Sequence, residues 1–85
     1  MKNFEYVIKD ELGIHARPAG LLVKEAKKFE SKITVEKAGK KVDATKLIAV
    51  MSMGVKTGET VNVEVEGADE EAAVEALKAF FEANL

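Results

Sequence analysis

Cysteine is absent from the 85 residues, and histidine, arginine and proline occur only once each. Without cysteine there can be neither disulfides nor thiol chemistry, and the chain suits a reducing compartment such as the cytoplasm. One histidine and no thiol cannot supply the usual nitrogen and sulfur ligands of zinc, so no metal is expected. Tryptophan is missing and aromatics make up 6% of the chain, which leaves little to stack on bases. With a formal net charge of −2, nucleic acid is not the expected partner. No apolar run approaches the ~18 residues that cross a bilayer. The opening MKNFEYVIKDE alternates charge with hydrophobe, so neither membrane insertion nor a signal peptide is expected.

What remains, 47% hydrophobic and 33% charged residues, is the composition of an ordinary globular protein. There is no repeat, low-complexity tract or linker, and residues 1–85 read as a single domain. The charges are segregated. Lys24, Lys27, Lys28, Lys32, Lys37, Lys40, Lys41 and Lys46 crowd the middle, and from Glu59 onward acids dominate with Lys78 the one base. Such a division gives two solvated faces of opposite sign, and the basic one is suited to steering an acidic protein partner.

The hydrophobic period changes several times along the chain. Phe4, Tyr6 and Ile8 recur at period two, which predicts a half-buried strand over 2–8. Ala19, Leu22, Val23, Ala26 and Phe29 recur at three and four, an amphipathic helix from Ala16 to about Phe29. Ile33 and Val35 mark a strand over 32–37, and the tight turn 38–40 returns it as KKVDA, a hairpin. KLIAVMSMG reads as a helix of about two turns, with Thr45 as N-cap and Gly54 ending it. Val61, Val63 and Val65 give the cleanest strand, over 60–66. Asp69 then reads as the cap of a last helix, with Val74, Leu77, Phe80 and Phe81 as its buried stripe. The order β-α-β-β-α-β-α, with every strand apolar on one face, predicts an α+β open-faced two-layer sandwich.

The three singleton residues fall together in GIHARPAG, residues 13–20, where strand period gives way to helix period. That transition places His15 at or just before a helix N-terminus, whose first N–H groups lack intrahelical acceptors and carry the positive end of the dipole. Pro18 suits a first turn, because the N–H it lacks is not needed there. An anion docked on this end would meet the backbone N–H groups of Ala16 and Arg17 and the Arg17 guanidinium, which are the donors a phosphoryl group seeks. The same positive surroundings favour a neutral imidazole, with a ring nitrogen able to attack phosphorus. The competing reading is that His15 merely caps the helix while Arg17 is solvated. Acyl transfer has little support, since no serine or cysteine nucleophile has a base placed for it.

GIHARPAGLLVKEAKKFES, set after a strand and an acidic-glycine turn, resembles the active-centre signature of HPr. HPr is the histidine-containing phosphocarrier of the bacterial phosphoenolpyruvate-dependent sugar phosphotransferase system. The resemblance runs on through KITVEKAGKKVDA, LIAVMSMGVKTGETV and VEVEGADEEAAVEAL, nearly the whole chain in register. It implies a four-stranded antiparallel sheet covered on one face by three helices. It implies a carrier and not an enzyme with its own substrate pocket, without cofactor, phosphorylated on His15 Nδ1 by enzyme I and emptied by the IIA domains of sugar permeases. Arg17 would then stabilise the phosphoryl group and Pro18 shape the helix start. The family's docking surface maps onto Ala16, Gly20, Lys24 and Lys27 together with Leu47, Ile48, Met51 and Ser52. For Leu47, Ile48 and Met51 the residues themselves leave core and interface equally open, although so short a helix cannot bury all its hydrophobes.

The chain departs from the pattern at Lys46, where many members carry a regulatory serine. Lysine cannot accept a phosphoryl ester, and the adjacent Thr45 is a weak substitute acceptor whose hydroxyl is better explained as a cap. The alternative to a sugar-feeding carrier is a regulatory or nitrogen-related paralogue that acts mainly by binding. A variant that had lost the carrier role would be expected to lose the histidine, which is present. A carrier that docks successive partners through one face is expected to be a monomer.

Overall fold

Period-two alternation builds the sheet. In the computed structural model, which describes residues 1–85, Val61, Val63 and Val65 are fully buried while Asn62 and Glu64 between them are only half-covered. Their strand, β4 (Thr60–Glu66), lies in the interior of a four-stranded sheet of order β1-β4-β2-β3. It pairs antiparallel with β1 (Lys2–Val7), Phe4 facing Val63, and with β2 (Lys32–Lys37), Val35 facing the same Val63. The short β3 (Lys40–Asp43) closes a hairpin on β2 through Ala38 and Gly39, both at positive φ, so Lys40 already belongs to the strand. Thr34 and Lys41 meet Glu64 across the uncovered face.

The other face carries α1 (Ala16–Ala26), α2 (Leu47–Ser52) and α3 (Glu70–Asn84), giving the order β1-α1-β2-β3-α2-β4-α3. This is the expected α+β sandwich: an antiparallel sheet covered on one side by three helices. Phe81 anchors α3 to the sheet, its ring edge-on to Phe4 and Tyr6 at centroid distances of 5.6 and 5.5 Å. Ala19, Leu22 and Ala26 of α1 and Val50 of α2 enter the same core.

Several expected boundaries and roles change. β1 ends at Val7, and Ile8, though buried, bonds through its N–H to the Glu59 carbonyl beyond the regular ladder. α1 stops at Ala26, and Phe29 packs half-buried against the core from the following turn. Phe80 is only half-buried, because the α3 face that meets the sheet is completed by Ala73. Thr45 does not cap α2: that position is Lys46, which makes no side-chain cap. The Thr45 hydroxyl instead donates to Asp43 Oδ1 at 2.6 Å, beside its own backbone N–H at 2.8 Å. Asp69 stands at the N-cap of α3 but makes no cap bond. Its carboxylate accepts the N–H groups of Glu30 and Ser31 and the Ser31 hydroxyl, groups of an irregular connection that have no ladder to join.

Candidate functional site

The site is built where the chain leaves β1 and turns into α1. Asp10 opens the loop: its Oδ1 accepts the Leu12 N–H at 2.9 Å and its carbonyl accepts the Gly13 N–H at 3.0 Å. Gly13 is buried at φ +68°, and a Cβ there would stand 2.1 Å from the Val55 carbonyl oxygen. Only glycine lets the loop approach that backbone so closely while taking a left-handed conformation. The next residue, Ile14, is buried and donates its N–H to the same Val55 oxygen at 3.0 Å. His15 is thereby delivered to the N-cap of α1 with its backbone fixed.

At that position His15 is extended (φ −95°, ψ −175°), its carbonyl accepts the Ala19 N–H at 2.9 Å, and its ring makes no cap bond. The reading in which the imidazole merely caps the helix is therefore not what the geometry shows. The first-turn N–H groups of Ala16 and Arg17 stay open to an anion, and the ring remains 35% exposed. Arg17 is exposed and forms none of the ion pairs found in the molecule. Pro18 is buried as the third helical residue instead of the first, still within the stretch whose N–H groups have no intrahelical acceptor. His15, Arg17 and Pro18 line one open groove of about 300 Å³, with Asp10, Leu21, Ala83 and Asn84 completing its wall.

None of those four wall residues is named by the sequence reading. Asp10, whose Oδ1 lies 3.8 Å from His15 Nε2, is signalled by the Asp-x-x-Gly turn pattern. Leu21 falls off the buried stripe of α1 and is 43% exposed. Asn84 has no local signal, because only the packing of α3 brings it beside residues nearly seventy positions earlier.

The residues expected to form a docking surface are all accessible. Ala16, Lys24 and Lys27 are exposed and Gly20 half-exposed on α1, with open space where a Gly20 side chain would be. On α2, which packs against α1, Leu47, Ile48 and Met51 are 40%, 78% and 40% exposed, so they lie outside the core. The core position of that helix is Val50 alone. Ser52 is exposed, its hydroxyl returned to the Ala49 carbonyl at 2.7 Å. Glu59 holds the far end of α2 in place. It accepts the Lys56 N–H and pairs with Lys37, whose ammonium also donates to the Met53 and Gly54 carbonyls. The Lys37 contact is the main cause that holds the Glu59 carboxyl below its ordinary range.

The result is an open-faced α+β domain that presents a histidine at the N-terminus of a helix, with an arginine beside it, in an open groove. Residues 2–83 match the family described as the PTS HPr component phosphorylation site, and the chain belongs to the HPr family. The phosphocarrier protein HPr of Mycoplasma genitalium is 44% identical over 85 residues, covering 99% of this chain and 97% of its own. HPr of Thermoanaerobacter tengcongensis superposes with a TM-score of 0.93 at 47% identity, covering 98% of this chain and 93% of that one. Crh of Bacillus subtilis, a catabolite repression protein seen as a swapped dimer, superposes at 0.78 with 38% identity over 100% of this chain and 98% of its own.

Proposed function

We propose that the protein is a phosphoryl carrier of the phosphotransferase system, taking the group from phospho-enzyme I onto His15 Nδ1 and passing it to IIA domains of sugar permeases. The observation that carries this reading is the uncapped His15 ring beside unpaired Arg17 and open first-turn N–H groups. In the acceptance step the Nδ1 lone pair forms a bond to phosphorus while the donor keeps the electron pair of the bond that breaks. The phosphoryl oxygens then lie where the Ala16 and Arg17 N–H groups, the helix dipole and the guanidinium can all act on negative charge. Pro18 keeps the first turn in helical conformation without offering a competing donor.

Docking is assigned to Ala16, Gly20, Lys24 and Lys27 of α1 with Leu47, Ile48, Met51 and Ser52 of α2. An exposed apolar patch rimmed by lysines suits a partner with an acidic border around an apolar centre. No helix is long and apolar enough to cross a membrane. The carrier acts as a cytoplasmic monomer, in contrast to the swapped dimer of its Crh relative. A monomer mass by light scattering at micromolar concentration is the expected result. Lys46 leaves no hydroxyl for the usual regulatory kinase, and the Thr45 hydroxyl is occupied by Asp43, so serine-type regulation at this helix start is not part of the function.

The test is intact mass after incubation with phosphoenolpyruvate, magnesium and enzyme I. One acid-labile phosphoryl group on the wild type and none on His15→Ala is the expected outcome. No addition, with enzyme I active on another carrier, would instead favour the binding-only regulatory paralogue, the class to which the similarity with Crh points.

A further inference from the structure

Asp10 supplies the one carboxylate within ion-pair range of the His15 ring, its Oδ1 3.8 Å from Nε2. The placement is built from three backbone-level bonds. The Asp10 N–H donates to the Leu85 backbone oxygen at 2.8 Å, its carbonyl accepts from Gly13, and Oδ1 itself accepts from Leu12. A side chain held by its own Asx turn keeps its charge in one place without an entropy cost at each encounter. The separation is too long for a hydrogen bond, yet short enough for the charge to act on the ring, and such contacts tighten when a reactive complex forms. Of the other groups lining the groove, Arg17 comes from α1 on the phosphoryl side, and α3 contributes only the uncharged Ala83 and Asn84.

We infer that Asp10 is the positioning residue for His15: its carboxylate holds the imidazole proton on Nε2 and so presents Nδ1 as the nucleophile. The inference rests on the carrier reading for its purpose, though not for its geometry. Through the transfer the Nε2 proton stays in place. When Nδ1 bonds to phosphorus the ring becomes a cation, and Asp10 offsets that charge from one side while the phosphoryl group offsets it from the other. When the next acceptor attacks phosphorus, the Nδ1–P pair returns to the ring, which departs as neutral imidazole because Nε2 has kept its proton. A neutral leaving group lets a carrier give up its cargo as readily as it takes it.

The experiment compares wild type, Asp10→Asn and Glu11→Gln. Asparagine keeps the size and the acceptor for the Leu12 N–H, so the turn survives, and Glu11→Gln removes an equal charge one residue away. Ring ¹⁵N shifts of the unphosphorylated proteins at alkaline pH report which nitrogen carries the proton. A smaller Nε2–H share in Asp10→Asn, with Glu11→Gln like the wild type, is expected. In the phosphorylated proteins, phosphohistidine hydrolysis at neutral pH should be slower in Asp10→Asn alone, because the charge that favours the ring cation is gone. An unchanged proton position in Asp10→Asn, or an equal change in Glu11→Gln, overturns the assignment. If the proton moves as expected but His15 never takes a phosphoryl group, the hold of Asp10 on the ring stands and the carrier reading falls.

Discussion

At residue 13 the loop that carries His15 runs against the backbone of Val55 and Lys56 with no room for a side chain. Gly13→Ala must both enter a left-handed conformation and push that backbone away. Together these should cost about 2–4 kcal/mol, read as a lower urea midpoint. Gly20 is the opposite case, since it sits within a helix and a Cβ there meets nothing within 4 Å. Gly20→Ala should raise stability by about 0.5–1 kcal/mol in the same titration. A glycine before a helix can be read from GIHARPAG as a turn. That Val55 is what it turns against cannot, because nothing near residue 13 in the chain encodes it. The placement of His15 and Arg17 at a helix start was legible for the converse reason: it is set by residues adjacent in the chain.

Among the elements, α2 shows most clearly how a short helix divides its hydrophobes. Val50 is fully buried, so Val50→Ala should cost about 2–3 kcal/mol through lost contacts and a residual cavity. Ile48, 78% exposed, should tolerate Ile48→Asp within about 0.5 kcal/mol of wild-type stability. The same change should slow phosphoryl acceptance from phospho-enzyme I about tenfold or more, the size of a lost interface anchor. Unchanged acceptance in Ile48→Asp would remove α2 from the docking surface. Sequence periodicity cannot make this division, because in a helix of six residues the apolar stretch LIAVM covers most of the circumference. Which side faces inward depends on where α1 lies. The start of α2 was misplaced by one residue, whereas Asp69 does hold the N-cap position of α3; in both places the side-chain partner was hard to read. Thr45 and Asp69 are ordinary capping residues, but Asp43 and the connection at residues 30–31 compete for them and win.

For the molecule as a whole, acid is the stress these hydrogen bonds predict. Asp43, Glu59, Asp69 and Glu70 are all held below the ordinary carboxyl range, chiefly by bonds from Thr45, Lys37, Ser31 and the Gly67 N–H respectively. A carboxyl depressed by folding contributes stability that is fully present above its unfolded pKa and lost as pH falls through the folded value. The urea midpoint should therefore hold steady from neutral pH to about 5 and decline as pH falls through about 4 and below. Asp69→Asn should be less stable than the wild type near neutral pH, with the gap closing in acid. A gap that persists unchanged into acid would assign its loss to shape and not to the charge that ties α3 to the connection after α1.

The sequence by itself determined the element order, the inward face of each strand and the position of His15 and Arg17 at a helix start. These follow from backbone periodicity and from groups only a few residues apart. Only the tertiary structure decided that Asp10 reaches the His15 ring and Asn84 walls the groove. It also decided that Gly13 lies against Val55, and that Leu47, Ile48 and Met51 remain outside the core. The approach of Asp10 to the ring depends on how the intervening loop folds and is tied to Leu85, and the others depend on how separate elements pack; the same apolar or acidic side chain is consistent with more than one neighbour until the packing is complete.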